Sequence, residues 1–250
     1  MAEAGTTILN GHRETGHDRV RPLPSVLIAT RHGESVANVE FRLAEQTGAL
    51  TVPITSRDAD IPLSMHGQAQ AQALGRWWAA LPPADRPRAL WCSPYVRTAE
   101  TARIALAQAS GLGAVPVGLQ VRYDERLRDR ELGVLEMLTR AAIDRDHPAE
   151  AARRRRMGEL YYRPPGGESW LDVALRVRSV LRDLAEEEAD RPVLVVAHDC
   201  TVLMLRHILD RLGEEQLLAL EPVGNCSTSV WRADGGRLRP YSWNAVDHLG

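Results

Sequence analysis

The stretch Ser25-Val26-Leu27-Ile28-Ala29-Thr30-Arg31-His32-Gly33-Glu34-Ser35 decides the fold. Its first half is a short apolar run without the polar alternation of a half-exposed strand. It predicts a strand buried on both faces, which belongs in a parallel sheet with helices on either side. Its second half turns polar abruptly, and Gly33 lets the chain swing from strand into a helix over residues 34–46. The same pattern recurs twice. Residues 89–92 form a second buried strand, followed by Ser93-Pro94 and a helix over 95–109, with Pro94 where a first helical turn tolerates proline. Residues 192–197 are the most apolar strand, followed by His198-Asp199 and a helix over 200–212.

The intervening segments fit the same plan. Ser64 caps an amphipathic helix that runs to Leu81 and is stopped by Pro82-Pro83. Residues 115–121 are a third strand candidate, 127–136 a charged loop, and 139–157 a helix ending in the run Arg153–Arg156. After the loop 161–167 comes the clearest helix, 169–188, with Leu171, Ala174, Leu175, Val177, Val180, Leu181 and Leu184 on one face. A hairpin closes the chain, pairing 227–231 with 238–241 around Asp234-Gly235-Gly236. Strands alternating with helices predict an α/β three-layer sandwich with a mainly parallel central sheet, whose ligands sit at the carboxyl ends of the strands. The 250 residues suit one domain over 25–250 with insertions around 48–62 and 139–168, preceded by a disordered tail over 1–24.

Composition narrows the chemistry. All 31 basic residues are arginine, so lysine-dependent chemistry is excluded, including Walker-A loops and Schiff bases. A net charge of -2 provides no global field for nucleic acid or an anionic membrane, and neither is expected as a partner. No apolar run suggests a signal peptide or a membrane span, so a soluble, cytoplasmic protein is expected. Cys92, Cys200 and Cys226 lack a paired spacing, which fits reduced thiols and gives no zinc signature; no metal site and no cofactor are expected.

In a parallel sheet the strand ends would bring Arg31-His32, the segment Ser93–Thr101 with Arg97, and His198-Asp199 to one crevice. Two guanidinium forks suit a tetrahedral oxyanion, and a neutral imidazole is a competent nucleophile toward phosphorus.

These residues resemble the histidine phosphatase superfamily, also called phosphoglycerate mutase-like. The resemblance rests on R-H-G-E-S at 31–35, S-P-x-x-R-T-x-E-T-A at 93–102, L-R-D-R-E-L-G at 127–133, P-G-G-E-S at 165–169 and V-x-x-H at 195–198. It implies that His32 is the nucleophile and becomes a phosphohistidine, with Arg31, Arg97 and His198 holding the phosphoryl oxygens. Asp129 falls where most members carry a glutamate general acid. Asp199 is the alternative, from the acid-phosphatase branch of the superfamily, and Glu125 and Glu131 lie nearby. Ser35 and Asn38 match the substrate-contacting end of R-H-G-x-S-x-x-N. Arg163 matches the arginine that meets a second phosphate in fructose-2,6-bisphosphatases, and Glu100 is expected as a carboxylate fixing Arg31 or Arg97. The Arg153–Arg156 run reads as a solvated helix end rather than a substrate-steering device.

The implied activity is that of a metal-independent phosphomonoesterase hydrolysing a small phosphorylated metabolite, in a monomer or homodimer. The alternatives are mutase-type phosphoryl transfer, or a phosphatase of phosphoproteins or phosphohistidine with a regulatory role. Cofactor-dependent mutases of the family use an active-site lysine, which this chain lacks, so hydrolysis is the favoured expectation.

Overall fold

Strand β1 (Val26–Arg31) lies at the point where the sheet changes direction. On one side it pairs in parallel with β4 (Pro192–Ala197), Val26 opposite Pro192 and Arg31 opposite Ala197; on the other it pairs antiparallel with β5 (Thr228–Asp234). In this computed structural model, which describes residues 23–250, the full order is β3-β2-β4-β1-β5-β6. Here β2 is Ala89–Cys92, β3 is Val121–Tyr123 and β6 is Arg237–Ala245. The parallel strands carry the residues of interest, and the antiparallel hairpin β5–β6 extends the sheet beyond β1. The expected tail lies outside the described residues except for Leu23 and Pro24; the Leu23 carbonyl accepts from the Asp190 N–H at 2.9 Å.

Burial on both sheet faces explains the apolar runs. Alternate residues Leu27, Ala29, Val193 and Val195 pack under α6 (Trp170–Glu187) and α7 (Asp199–Leu209). Ile28, Leu90, Leu194 and Val196 face Trp78 of α2 (Met65–Ala80) and Ala102 and Ala109 of α3 (Val96–Gly111). The remaining helices are α1 (Val36–Thr47), α4 (Arg140–Asp146), α5 (Pro148–Met157) and α8 (Glu214–Leu218).

Several expectations are corrected. The third strand lies later, at Val121–Tyr123, because the segment before it turns through Gly118 at φ 81°. The helix expected over 139–157 is two helices: Pro148 disfavours helical geometry at the residue before it, and His147 sits at φ -127°, ψ 50°. In α6 the buried stripe is Val173, Ala174, Val177, Val180 and Leu184, whereas Leu175 is 67% exposed. Strand β6 runs to Ala245, beyond the short hairpin arm expected, and α8 has no counterpart among the expected elements.

One close approach fixes the excursion that follows α1. The Ser64 N–H donates to the Glu34 carbonyl at 2.9 Å, and the Val36 N–H to the Pro62 carbonyl at 3.1 Å. This presses Gly67 of α2 onto the turn after β1, where a Cβ on Gly67 would lie 2.0 Å from the Glu34 carbonyl oxygen. Gly67→Ala is therefore expected to lower unfolding stability by about 2 kcal/mol or more. Gly111→Ala, where a Cβ meets nothing within 4 Å, is expected to leave stability unchanged or slightly raised. Urea midpoints of the two variants check this.

Candidate active site

The order β2-β4-β1 sets three strand ends side by side, and backbone pairing continues past them. The His32 N–H donates to the Ala197 carbonyl and the Ser93 N–H to the Val196 carbonyl, each at 3.0 Å. Two histidines from neighbouring strand ends, His32 and His198, thus meet with ring centroids 5.2 Å apart.

His32 is 2% exposed. Its Nδ1 lies 2.7 Å from the Gly33 carbonyl oxygen. A carbonyl can only accept, so this contact assigns the proton to Nδ1 and leaves the lone pair on Nε2. The Arg97 Nε–H donates to that Nε2 at 3.2 Å. Burial foremost, then the charges of Arg97, His198 and Arg31, hold the His32 pKa well below its ordinary value of 6.5. His32 is thus neutral, with its free nitrogen toward the guanidinium.

His198 is fully buried, with Nε2 2.8 Å from the Ser93 hydroxyl. With that hydroxyl donating to Nε2, the ring proton sits on Nδ1, on the side of Asp129, whose Oδ2 is 3.3 Å away. Burial lowers the His198 pKa, and Asp129 only partly opposes this. For Asp129 burial favours the neutral acid, but His198, Arg97 and the Arg130 N–H outweigh it and hold the carboxyl well below the usual range.

Arg97 is 3% exposed, and its fork is committed to acids. Nη1 donates to the Asp58 carbonyl at 2.6 Å and to Asp58 Oδ1 at 3.1 Å; Nη2 donates to Asp58 Oδ2 at 2.8 Å and to Asp129 Oδ2 at 3.1 Å. Asp58 belongs to a 3-10 turn, Asp58–Asp60, within the excursion. Arg31 donates from Nη1 to the Val223 carbonyl at 2.7 Å, while its Nε is buried without a partner.

The other sequence-selected residues divide. Ser35 and Asn38 cap α1 reciprocally: the Ser35 N–H donates to Asn38 Oδ1 at 3.0 Å and the Asn38 N–H to Ser35 Oγ at 3.2 Å. Asn225 joins this cap to the nucleophile candidate, its Nδ2 donating to the His32 carbonyl at 3.0 Å and to Asn38 Oδ1 at 3.2 Å. Glu100 accepts from the Leu63 N–H at 2.8 Å and so fastens the excursion; it makes no ion pair with Arg31 or Arg97, contrary to expectation.

Arg163 also departs from expectation. Its side chain is 60% exposed and forks onto Asp172 at the start of α6, with Nε 2.7 Å from Oδ2, and it does not line the cavity beside the histidines. Asp199 accepts from the Val223 N–H at 3.1 Å. Burial raises its pKa, which Arg31 partly offsets. Glu131 accepts from the Tyr95 hydroxyl at 3.0 Å, and Glu125 is exposed. In the arginine run, Arg154 pairs with Glu159 at 2.6 Å and Arg155 with Asp144 at 3.4 Å. Three further residues join the site without an individual sequence expectation: Asp58, Ser93 and Asn225. Of these only Ser93 carries a signal, as the first residue of the S-P-x-x-R block.

A cavity of about 390 Å³ opens beside this cluster and is lined in part by Arg31, Asp58, Asp129 and Asp199. Among the described residues, no group of three or more His, Cys, Asp or Glu could hold a metal ion, and no helix is long and apolar enough to cross a membrane.

Both histidines bind a proton more weakly in the folded than in the unfolded chain. Their stabilising effect is full above the unfolded value of 6.5 and is lost as pH falls below it. Denaturation between pH 7 and pH 5 should show stability falling by up to about 1.4 kcal/mol per pH unit for each such histidine, with a shallower slope in His32→Asn.

The family model "Histidine phosphatase superfamily (branch 1)" matches residues 27–246. A 2,3-bisphosphoglycerate-dependent phosphoglycerate mutase 2 of Gloeobacter violaceus is 33% identical over 199 residues, covering 79% of this chain and 81% of its own. A glucosyl-3-phosphoglycerate phosphatase of Mycobacterium tuberculosis is 33% identical over 224 residues, covering 86% and 87%. The solved mycobacterial glucosyl-3-phosphoglycerate phosphatase with VO3 superposes with a TM-score of 0.69 at 30% identity, covering 89% of this chain and 100% of that one. With the family match spanning the sheet and both histidines, the chain belongs to branch 1 of the histidine phosphatase superfamily and is an enzyme of that superfamily.

Proposed function

We propose that the protein hydrolyses a small phosphomonoester through a phosphohistidine on His32. The observation that carries this reading is the His32 ring itself: Nδ1 anchored on the Gly33 carbonyl at 2.7 Å, with the lone pair of Nε2 held beside a buried guanidinium at 3.2 Å. A phosphoryl group bound there has a nucleophile in reach and cations for its oxygens.

In the first step Nε2 bonds to phosphorus as the P–O bond to the alcohol breaks, and Asp129 gives its proton to the departing oxygen. In the second, Asp129 takes a proton from water; the water oxygen bonds to phosphorus, the P–N bond breaks, and inorganic phosphate leaves. Arg31, Arg97 and His198 hold the non-bridging oxygens throughout. Ser35 and Asn38 support the site by fixing the turn behind His32, with Asn225 between them and its carbonyl.

The general acid must carry a proton when the ester binds, whereas free Asp129 is ionised against Arg97 and His198. A bound phosphoryl dianion takes over the Arg97 fork and adds like charge, and both changes raise the proton affinity of Asp129. Asp199 is the second candidate, since burial already raises its pKa, but it is tied to the Val223 N–H and faces Arg31.

Acid quenching after exposure to labelled phosphomonoester should trap phosphate on the wild type and none on His32→Ala; equal labelling of the two would overturn the mechanism. Asp129→Asn is expected to lose about 10²–10⁴-fold in turnover and Asp199→Asn far less. The reverse order would move the general acid to Asp199. Phosphate release with 3-phosphoglycerate, with and without 2,3-bisphosphoglycerate, distinguishes hydrolysis from mutase-type transfer, which the same phosphoenzyme could serve.

A further inference from the structure

The cavity beside His32 has a wall chemistry that the phosphoryl seat does not explain. At about 390 Å³ it lies toward the small end of the ~300–1,000 Å³ range of small-molecule sites, so it takes a compact alcohol. Part of its lining is apolar, with Phe41, Leu138, Trp170 and Leu203 offering surface to a hydrocarbon or a ring. Its remaining charged groups are mostly acids: Glu131 and Glu136 line it together with Asp58, Asp129 and Asp199.

Of the two basic residues of the lining, Arg31 is assigned to the phosphoryl group in the proposed mechanism and also donates from Nη1 to the Val223 carbonyl. Arg130 is directed elsewhere, with Nε donating to the Glu168 carbonyl at 2.7 Å and Nη2 to the Tyr162 carbonyl at 3.0 Å. Arg163, the residue expected to read a distal anion, is not part of the lining and pairs with Asp172. When a phosphoryl group takes the Arg97 fork, the Asp58 carboxylate loses its bidentate partner and adds its charge to the cavity. With Asp58 still on Arg97, burial first and then the charges of Asp58 and Glu131 push the Glu136 pKa up.

Resting on the phosphatase reading, we propose that the substrate is a phosphomonoester of a compact alcohol that is uncharged or cationic and largely apolar, and that Glu136 makes the cavity reject a second phosphate or a carboxylate. Like charges facing one another across a partly desolvated pocket of this size disfavour a second anion by about tenfold or more in kcat/KM. A neutral ring meets no such repulsion, and an ammonium group gains from the same carboxylates.

A matched series tests this: phenyl phosphate, 4-carboxyphenyl phosphate and 4-(aminomethyl)phenyl phosphate share one scaffold and differ in the charge of one substituent. Wild-type kcat/KM should be about tenfold or more lower for the carboxyphenyl ester than for the phenyl ester, with the aminomethyl ester at least equal to the phenyl ester. Glu136→Gln should raise the carboxyphenyl-to-phenyl ratio several-fold. Equal hydrolysis of the carboxyphenyl and phenyl esters by wild type would overturn the inference while leaving the phosphatase reading intact, and it needs no variant to fold. An unchanged ratio in a folded Glu136→Gln protein would overturn the assignment to Glu136. Absence of phosphate release from all three esters, with no acid-trapped phosphoenzyme, would overturn both the phosphatase reading and the inference built on it.

Discussion

A single buried guanidinium organises the site. Arg97 is 3% exposed, and a charge taken that far out of water must be matched by hydrogen-bonded partners of opposite sign. It finds them in Asp58 and Asp129, and its Nε gives the remaining donor to His32. Each of these comes from a different part of the chain: the excursion after α1, the loop after β3, and the end of β1. Satisfying one cation therefore draws two irregular segments to the carboxyl ends of the strands, where the Gly33 carbonyl, by holding the Nδ1 proton of His32, leaves Nε2 as the acceptor for the Arg97 Nε. The Gly67 contact and the Glu100 bond to the Leu63 N–H hold the excursion so that Asp58 can reach in.

The parallel core of the fold was legible because burial on both faces writes itself into short stretches. Leu27 and Ile28 in β1, and Val193, Leu194 and Val195 in β4, alternate between two helix layers. Residues 26–29 and the whole of β4 are therefore apolar, and the polar residues that follow mark where each strand stops. His32 and His198 stand at those stops, which is why their meeting could be expected from topology alone. Strand β3 has no such signal: it is three residues long and partly exposed at the sheet edge, and the more apolar run before it is a turn. The break at His147 was written in the sequence as Pro148, but an otherwise helical composition on both sides masked it.

The site was legible to the extent that its residues sit on regular elements. Arg97 lies in the first turn of α3, and Arg31 ends β1. Asp58 was not legible, because no periodicity says which acid of an irregular loop will face inward. Arg163 shows the opposite failure: a local motif suggested a ligand-reading arginine, but Asp172, at the third position of α6, serves both the Ser169 cap and the Arg163 fork. A partner further down the chain, brought close by a helix start, decided where that side chain points.

The absence of lysine acquires a physical meaning in this setting. A guanidinium can be shared between two carboxylates and an imidazole at once because its donors fan out in a plane, whereas an ammonium is a compact point charge on a flexible stem. Arg97 uses that geometry to satisfy its buried charge, holding Asp58 in the same bidentate fashion in which a fork meets a phosphate. On the proposed mechanism, binding a phosphoryl group is an exchange of one oxyanion for another at a fixed cation, with little reorganisation of the buried charge itself. What changes is the position of the displaced negative charge. Asp58 and Asp129 both border the adjoining cavity, so under that mechanism the same exchange makes the cavity more negative. On that reading the electrostatics of the phosphoryl site and of the neighbouring cavity are one coupled property, set by where the chain lodges its own carboxylates.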